Sequence, residues 1–177
     1  VDPLELPSRG TAPEGAPSAR ETRDVELTRE SVERLVEITG VESPGDAVLL
    51  ATAMFFGRLS GKTTFDVGFR DDALHGQFDG EVGVFAPRVP LRLAFDPEAD
   101  CARLFADARE SLEVCRRHRT YCRDLVSRAI ELRSAAEAGS LSFPNVTLRR
   151  GAGAADGSVG IGIVEVRVDD DGLCRWA

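Results

Sequence analysis

The chain has 177 residues, 42% of them hydrophobic, enough to bury a core as one domain. Its net charge is −8, and its one dense basic cluster is Arg116, Arg117 and Arg119, which argues against nucleic acid as a partner. No apolar run approaches the ~18–20 residues that cross a bilayer, and the opening VDPLELPSRG lacks a signal peptide's order, so no membrane is expected and the expected location is cytoplasmic. Val1 is not an initiator Met, so a fragment or a processed product is expected.

Residues Leu6 to Ala19 carry Pro7, Gly10, Pro13, Gly15 and Pro17, the composition of an extended linker. A short strand is expected over Arg23–Leu27. Thr28 is a candidate N-cap for a helix to about Thr39, with Val32, Leu35, Val36 and Ile38 on its apolar side and Gly40 ending it. Ser43-Pro44-Gly45-Asp46 combines an N-cap, Pro at the first helical position and an acid at the third, a variant of the capping box. The helix it opens runs to about Leu59 and is apolar nearly all round, so it belongs at the centre of the core.

Thr63–Phe69 reads as a strand and Arg70–Glu81 as a loop. An extended stretch then runs from Val82 to Phe95, where Pro87 and Pro90 imply a bulge, an edge or a crossover. A helix follows from Asp96-Pro97, with Asp100 as a second possible cap, to about His118. Leu104, Phe105, Ala108, Leu112 and Cys115 lie on one face of it. Another helix is expected over Arg123–Ala136, then strands over Leu141–Arg149 and Val159–Val168, the latter with an ambiguous inward face. The order implies a mixed β-sheet with helices packed on it, an α/β or α+β sandwich.

The four cysteines, Cys101, Cys115, Cys122 and Cys174, form no CxxC pair, and with two histidines no metal site is expected. Free thiols are the plain reading and a Cys115–Cys122 disulfide the sharper one. Asp71-Asp72, Asp79 with Glu81, and Asp169-Asp170-Asp171 lack the spacing of a calcium loop, and Asp169–Gly172 reads as a solvated hairpin turn. Gly151-Ala152-Gly153 sits in no strand-loop-helix unit, and Ser60-Gly61-Lys62-Thr63 follows a helix, so neither reads as a phosphate loop.

Five segments together resemble the condensation domains of nonribosomal peptide synthetases, which share the fold of chloramphenicol acetyltransferase. Leu49-Leu50-Ala51 through Arg58-Leu59-Ser60-Gly61 to Val67-Gly68 resembles that family's LLAAFALLLARLSGQDDVVVG. Gly83-Val84-Phe85 followed by Val89-Pro90-Leu91-Arg92 is similar to its IGFFVNTLPLRV. Leu104 to Glu113, then Arg117-His118, resembles its LLARVRETLLEAYEHQDVPFE. Leu4-Glu5-Leu6-Pro7 looks like the linker between the two lobes, and Val164 to Gly172-Leu173 like a late strand. The resemblance implies an extended interlobe linker over 1–22 and a C-terminal lobe over 23–177.

That lobe would contribute half of a tunnel in which a carrier-bound thioester donor and an amine acceptor form an amide. The family's catalytic HHxxxDG motif belongs to the other lobe and is absent from this sequence. His75 reads as a loop residue and His118 as a helix-end residue, so no catalytic residue is expected here. Pro87 stands where the family has Asn, Cys122 where it has Pro, and the DFGWG-like segment expected over Ala152–Val159 is missing. The Arg that follows the family's VVVG strand has no clear match in Phe69-Arg70-Asp71-Asp72.

Tunnel-lining candidates are Val67, Gly68, Phe69, Arg70, Val84, Phe85 and Arg88. Arg116, Arg117 and Arg119 are candidates for binding a carrier domain, since guanidinium groups suit an acidic surface and a phosphate. The plainer reading is that they favour the negative end of a helix dipole. No cofactor is expected to bind directly; the implied group is the phosphopantetheine arm of a partner carrier domain. Implied partners are an N-terminal lobe with the catalytic His and peptidyl or aminoacyl carrier domains. The alternative is a non-catalytic scaffold of the same fold that recruits a carrier domain or a tailoring enzyme, which the Pro87 and Cys122 departures favour. A free-standing acyltransferase acting on CoA thioesters ranks last. A lobe without its partner is also expected to leave an apolar face uncovered.

Overall fold

Side-chain caps set the ends of the long helices in this computed structural model, which describes residues 23–71, 84–86, 88–122, 124–130, 132, 146–151, 164–169 and 174–176. Thr28 Oγ1 accepts from the Ser31 N–H at 3.2 Å and opens α1 (Arg29–Thr39). Ser43 Oγ accepts from the Asp46 N–H and opens α2 (Pro44–Ser60). Both helices stop at a glycine, Gly40 and Gly61, each at φ 65, a left-handed conformation that costs other residues energy.

The strands are β1 (Arg23–Val25), β2 (Thr64–Asp71), β3 (Val89–Ala94), β4 (Val146–Arg150), β5 (Val164–Val168) and β6 (Cys174–Trp176). They form one mixed sheet in the order β1-β6-β5-β4-β2-β3. The β2–β4 and β4–β5 pairs are parallel, and the other pairs are antiparallel. β3 is therefore an edge. The Phe95 N–H reaches the Thr63 carbonyl, so Leu93, Leu91 and Val89 also turn their backbone polar groups toward β2. Pro90 consequently points its missing donor away from the sheet, where a ladder loses nothing.

The core lies on one face of this sheet. Phe65, Val67 and Phe69 of β2, Leu91 and Leu93 of β3, Val146 and Leu148 of β4, and Val166 and Val168 of β5 are buried there. Leu49, Leu50, Ala53 and Phe56 of α2 pack over them, with Leu104, Ala108 and Leu112 of α3 (Cys101–His118) beside. α1 rests on α2 and α3. The inward face of β5 is thus Val166 and Val168.

Several expectations are corrected. α3 begins at Cys101, capped by Asp100 Oδ1 on the Arg103 N–H at 2.7 Å. Asp96 instead makes a turn, accepting from the backbone N–H groups of Glu98 and Ala99. The helix expected over Arg123–Ala136 is interrupted: α4 spans only Leu125–Arg128, because Ala129 is extended at φ −89, ψ 118. β1 ends at Val25, two residues short of the expected Leu27, and β6 lies beyond the expected strands, its three residues too few to show a periodicity. The proposed linker over 1–22, and the early parts of the last two expected strands, lie outside the described residues.

Candidate functional site

A strand's side chains alternate between faces, so the contiguous run Val67–Arg70 cannot line one surface. Val67 and Phe69 are 0% and 1% exposed in the helix-side core, which corrects their assignment to a tunnel wall. Gly68 and Arg70 face away from the helices, together with Asp66 of β2, Arg92 of β3, Thr147 and Arg149 of β4, and Arg167 of β5.

This second face is polar. Arg92 grips Asp66 with two hydrogen bonds of 3.0 Å each, and Asp66 is 1% exposed. Arg88 donates through Nη1 to Thr147 Oγ1 at 3.1 Å. A Cβ on Gly68 would lie 2.9 Å from that same hydroxyl oxygen, so a glycine leaves Thr147 the room to receive Arg88. Arg88 and Gly68 therefore meet at Thr147, which the sequence did not single out.

The crossover that carries Arg88 is pinned to the end of α3. Arg119 closes that helix at φ 59, ψ −119, and the chain turns sharply after it. Thr120 Oγ1 then donates to the Ala86 carbonyl at 2.7 Å, the Ala86 N–H donates to the Tyr121 carbonyl at 2.8 Å, and Phe85 bridges Cys122. Phe85 and Arg88 are half-buried there, while Val84 is exposed. Tyr121 has its phenol pushed up by burial, with the Arg88 charge opposing. The groove between β3 and α3, about 640 Å³, is lined on its walls by Val89, Leu91, Val114, Cys115, His118 and Tyr121.

The three basic residues at the end of α3 part ways. Arg116 reaches the end of β2 and the start of α2, donating to Asp46 at 2.6 and 2.8 Å and to Asp71 at 3.1 Å. Arg150 completes the knot, reaching Asp46 at 3.1 Å and Ser43 Oγ at 3.1 Å. Burial would raise the Asp46 carboxyl, but the hydrogen bonds and charges of Arg116 and Arg150 outweigh it and hold the pKa below its ordinary value. The same hydrogen bonding keeps Arg116 firmly protonated. Arg116 is thus spent on joining α2, α3, β2 and β4, and the carrier-binding expectation keeps only Arg117 and Arg119, both exposed. The capping box is likewise only half formed: Ser43 caps, but the Asp46 carboxylate serves the arginines.

Other candidates fall where chemistry is weak. Cys101, Cys115 and Cys122 are free thiols, so the Cys115–Cys122 disulfide is not formed. Burial pushes the Cys115 thiol up to about 11, which leaves it protonated and a poor nucleophile at neutral pH. His118 is exposed at the end of α3, and His75 lies outside the described residues. Among the described residues no group of three or more His, Cys, Asp or Glu could hold a metal ion, and no helix is long and apolar enough to cross a membrane. Among the described residues the exposed large apolar side chains are scattered, on α2 (Phe55, Leu59), on β1 (Val25), in the crossover (Val84) and past α4 (Ile130), and they form no single uncovered apolar face on the sheet.

No family model and no curated protein matches the sequence. Solved structures do. The first condensation domain of the calcium-dependent antibiotic synthetase, with a bound substrate analogue, superposes at TM-score 0.54 and 19% identity over 99% of this chain and 42% of its own. The EpoB cyclization-docking bidomain from Sorangium cellulosum gives 0.61 and 18%, covering 99% of this chain and 40% of that one. The condensation domain of the Monacolin K polyketide synthase MokA gives 0.55 and 13%, covering 99% and 46%. The chain spans less than half the length of each. At such identities the likeness bears on architecture, and that is plain: this chain has the α/β, chloramphenicol acetyltransferase-like fold of a single condensation-domain lobe.

Proposed function

We propose that the chain is the C-terminal lobe of a condensation domain and supplies one wall of a tunnel in which a carrier-bound thioester and an amine form an amide. The observation that carries this reading is the superposition of nearly the whole chain on less than half of several condensation domains. The tunnel wall would be the polar sheet face with Gly68, Arg70, Arg88 and Thr147. Phe85 and Val84 would sit at its mouth. The N-terminal lobe would bring the catalytic His. Arg117 and Arg119 would meet the carrier domain whose phosphopantetheine arm enters.

The test is an amide-forming assay with carrier-bound substrates and a separately produced N-terminal lobe carrying HHxxxDG. Amide that forms only when both lobes are present supports the reading. Carrier binding by this chain that the second lobe leaves unchanged, with no amide, would favour the recruitment module. Cys122, exposed where the family has Pro, is the observation on the side of that second reading.

A further inference from the structure

One flank of α3 keeps its opposite charges apart. The core face of this helix is Leu104, Ala108 and Leu112. About a quarter turn round from it, Asp107, Glu110, Ser111, Val114 and His118 line the groove beside β3. Arg117 borders the same flank, next to Glu110 and Val114. The acids thus hold one end of the stripe and the bases the other. Ser111 is half-buried between them, and Val114 is 41% exposed.

Helix chemistry accounts for only half of this pattern. Arg117 and His118 stand in the last turn, where the negative end of the dipole favours a base. Asp107 and Glu110 stand beyond the first turn, where the positive end no longer favours an acid. Glu110 also has no base three or four residues away, since those positions are Ala106, Asp107, Glu113 and Val114. Among the described residues, none of Asp107, Glu110, Arg117 and His118 enters an ion pair. Their complement lies outside the chain.

A stripe with acids at one end and bases at the other is complementary to itself run backwards. We propose that this flank of α3, with the groove beside β3, is a docking surface for a second copy of the chain. Asp107 lies four residues before Ser111, and His118 four after Val114. A two-fold axis beside Ser111 and Val114 therefore sets two copies of α3 antiparallel. Asp107 and Glu110 of each then meet His118 and Arg117 of the other, Ser111 receives Val114, and each helix covers the other's groove. Such a contact is isologous, the usual form of a closed dimer. Pro90 withholds a donor from the β3 edge alongside, so the contact rests on α3 and not on continuing the sheet. The surface does not rest on the proposed function. Arg117 belongs to both, so a carrier domain and a second copy would exclude one another there.

The test is sedimentation velocity on the full chain from about 5 to 500 µM. The mass should rise from 19.1 kDa toward twice that value, and less so at high salt. Asp107→Lys with Glu110→Lys puts bases along the whole flank, and Arg117→Glu with His118→Glu puts acids there. Each double variant is expected to weaken self-association by roughly tenfold or more, as is Val114→Asp, which sets like charges at the axis. Mixed in equal amounts, the two double variants should associate again, because opposite flanks then meet. That recovery also shows that both are folded. A native chain that stays at 19.1 kDa throughout overturns the surface, and so does a dimer that the charge variants and Val114→Asp retain. Double variants that keep the native urea midpoint yet fail to associate when mixed overturn it too. A chain that is monomeric alone but binds an isolated carrier domain through Arg117 and His118 assigns the flank to the carrier and overturns the second copy. None of these failures touches the two-lobe amide assay, on which the proposed function stands or falls.

Discussion

The two faces of the sheet come from alternate residues of the same strands, yet they are built on opposite principles. On the helix side Phe65, Val67 and Phe69 meet α2 and α3 in a dry core, and the charged groups there, Asp71 and Arg150, are gathered into one knot at the strand ends. On the other side Asp66, Arg70, Thr147, Arg149 and Arg167 keep charge and hydroxyls all along the strands. Burial alone does not separate the faces, since Asp66 and Arg149 are as buried as core valines. What separates them is how burial is compensated: by apolar contact on one side, by paired polar groups on the other.

The largest effect should come from the dry face. Phe65→Ala removes a fully buried ring from beneath α2 and is expected to cost about 3–5 kcal/mol of unfolding free energy, measured by urea titration. A loss below roughly 1 kcal/mol would mean that the helix layer does not depend on β2.

Next comes the knot. Asp46→Ala leaves Arg116 and Arg150 without the carboxylate that joins them, and a loss of about 3 kcal/mol is expected. The pH dependence has a definite sign. Asp46 has a depressed pKa when folded, so it contributes stability above its unfolded value of about 4 and loses that contribution as pH falls through the folded value. Urea midpoints should therefore drop on acidification below pH ~4 in the native chain, and drop less steeply in Asp46→Asn. Equal slopes for the two would remove Asp46 from the acid response.

The polar face gives a smaller and more local effect. Gly68→Ala places a methyl 2.9 Å from Thr147 Oγ1 and should cost about 1–2 kcal/mol, because the oxygen must move and weaken its bond from Arg88. Adding Thr147→Ala should return part of that loss, since the clash then has no partner. A double-mutant cycle reads the coupling directly. Strict additivity would deny that Gly68 matters through Thr147.

Much of the architecture was legible in the sequence for a physical reason. Caps are short-range chemistry, so Thr28, Ser43, Gly40 and Gly61 mark their helix ends within a few residues, and the apolar face of α3 shows through its period. Pro87 and Pro90 exclude a central strand because a missing N–H cannot sit in a central ladder, and of the bulge, edge or crossover they leave open, Pro90 lies on the edge strand β3. The candidate site was less readable. A contiguous run such as Val67–Arg70 reads as one lining only if the pleat is ignored, for it sends Val67 and Phe69 to one face and Gly68 and Arg70 to the other. Asp66 between Phe65 and Val67 was a signal of the polar face, and so was Arg149 beside Leu148. The knot could not be seen at all, because Asp46, Arg116 and Arg150 are brought together across 104 residues by the fold alone.

The smallest effect lies at the join between the two regions, and it has the opposite sign. Arg119 holds φ 59, ψ −119, a positive-φ conformation in which glycine is at ease and a side chain is strained. Arg119→Gly should therefore stabilise the chain, by about 1 kcal/mol less the extra chain entropy glycine gives the unfolded state. Arg119→Ala keeps the strain and removes only the guanidinium, so its urea midpoint should stay near that of the native chain. Both variants lose the same positive group. If Arg119 meets a carrier domain, both should bind it more weakly by the same factor, although one is more stable than the other. Carrier affinity that follows the urea midpoint would instead make Arg119 a turn residue and nothing more. The strained conformation would then serve to bring Thr120 and Tyr121 against Ala86, and so to hold Arg88 over Thr147.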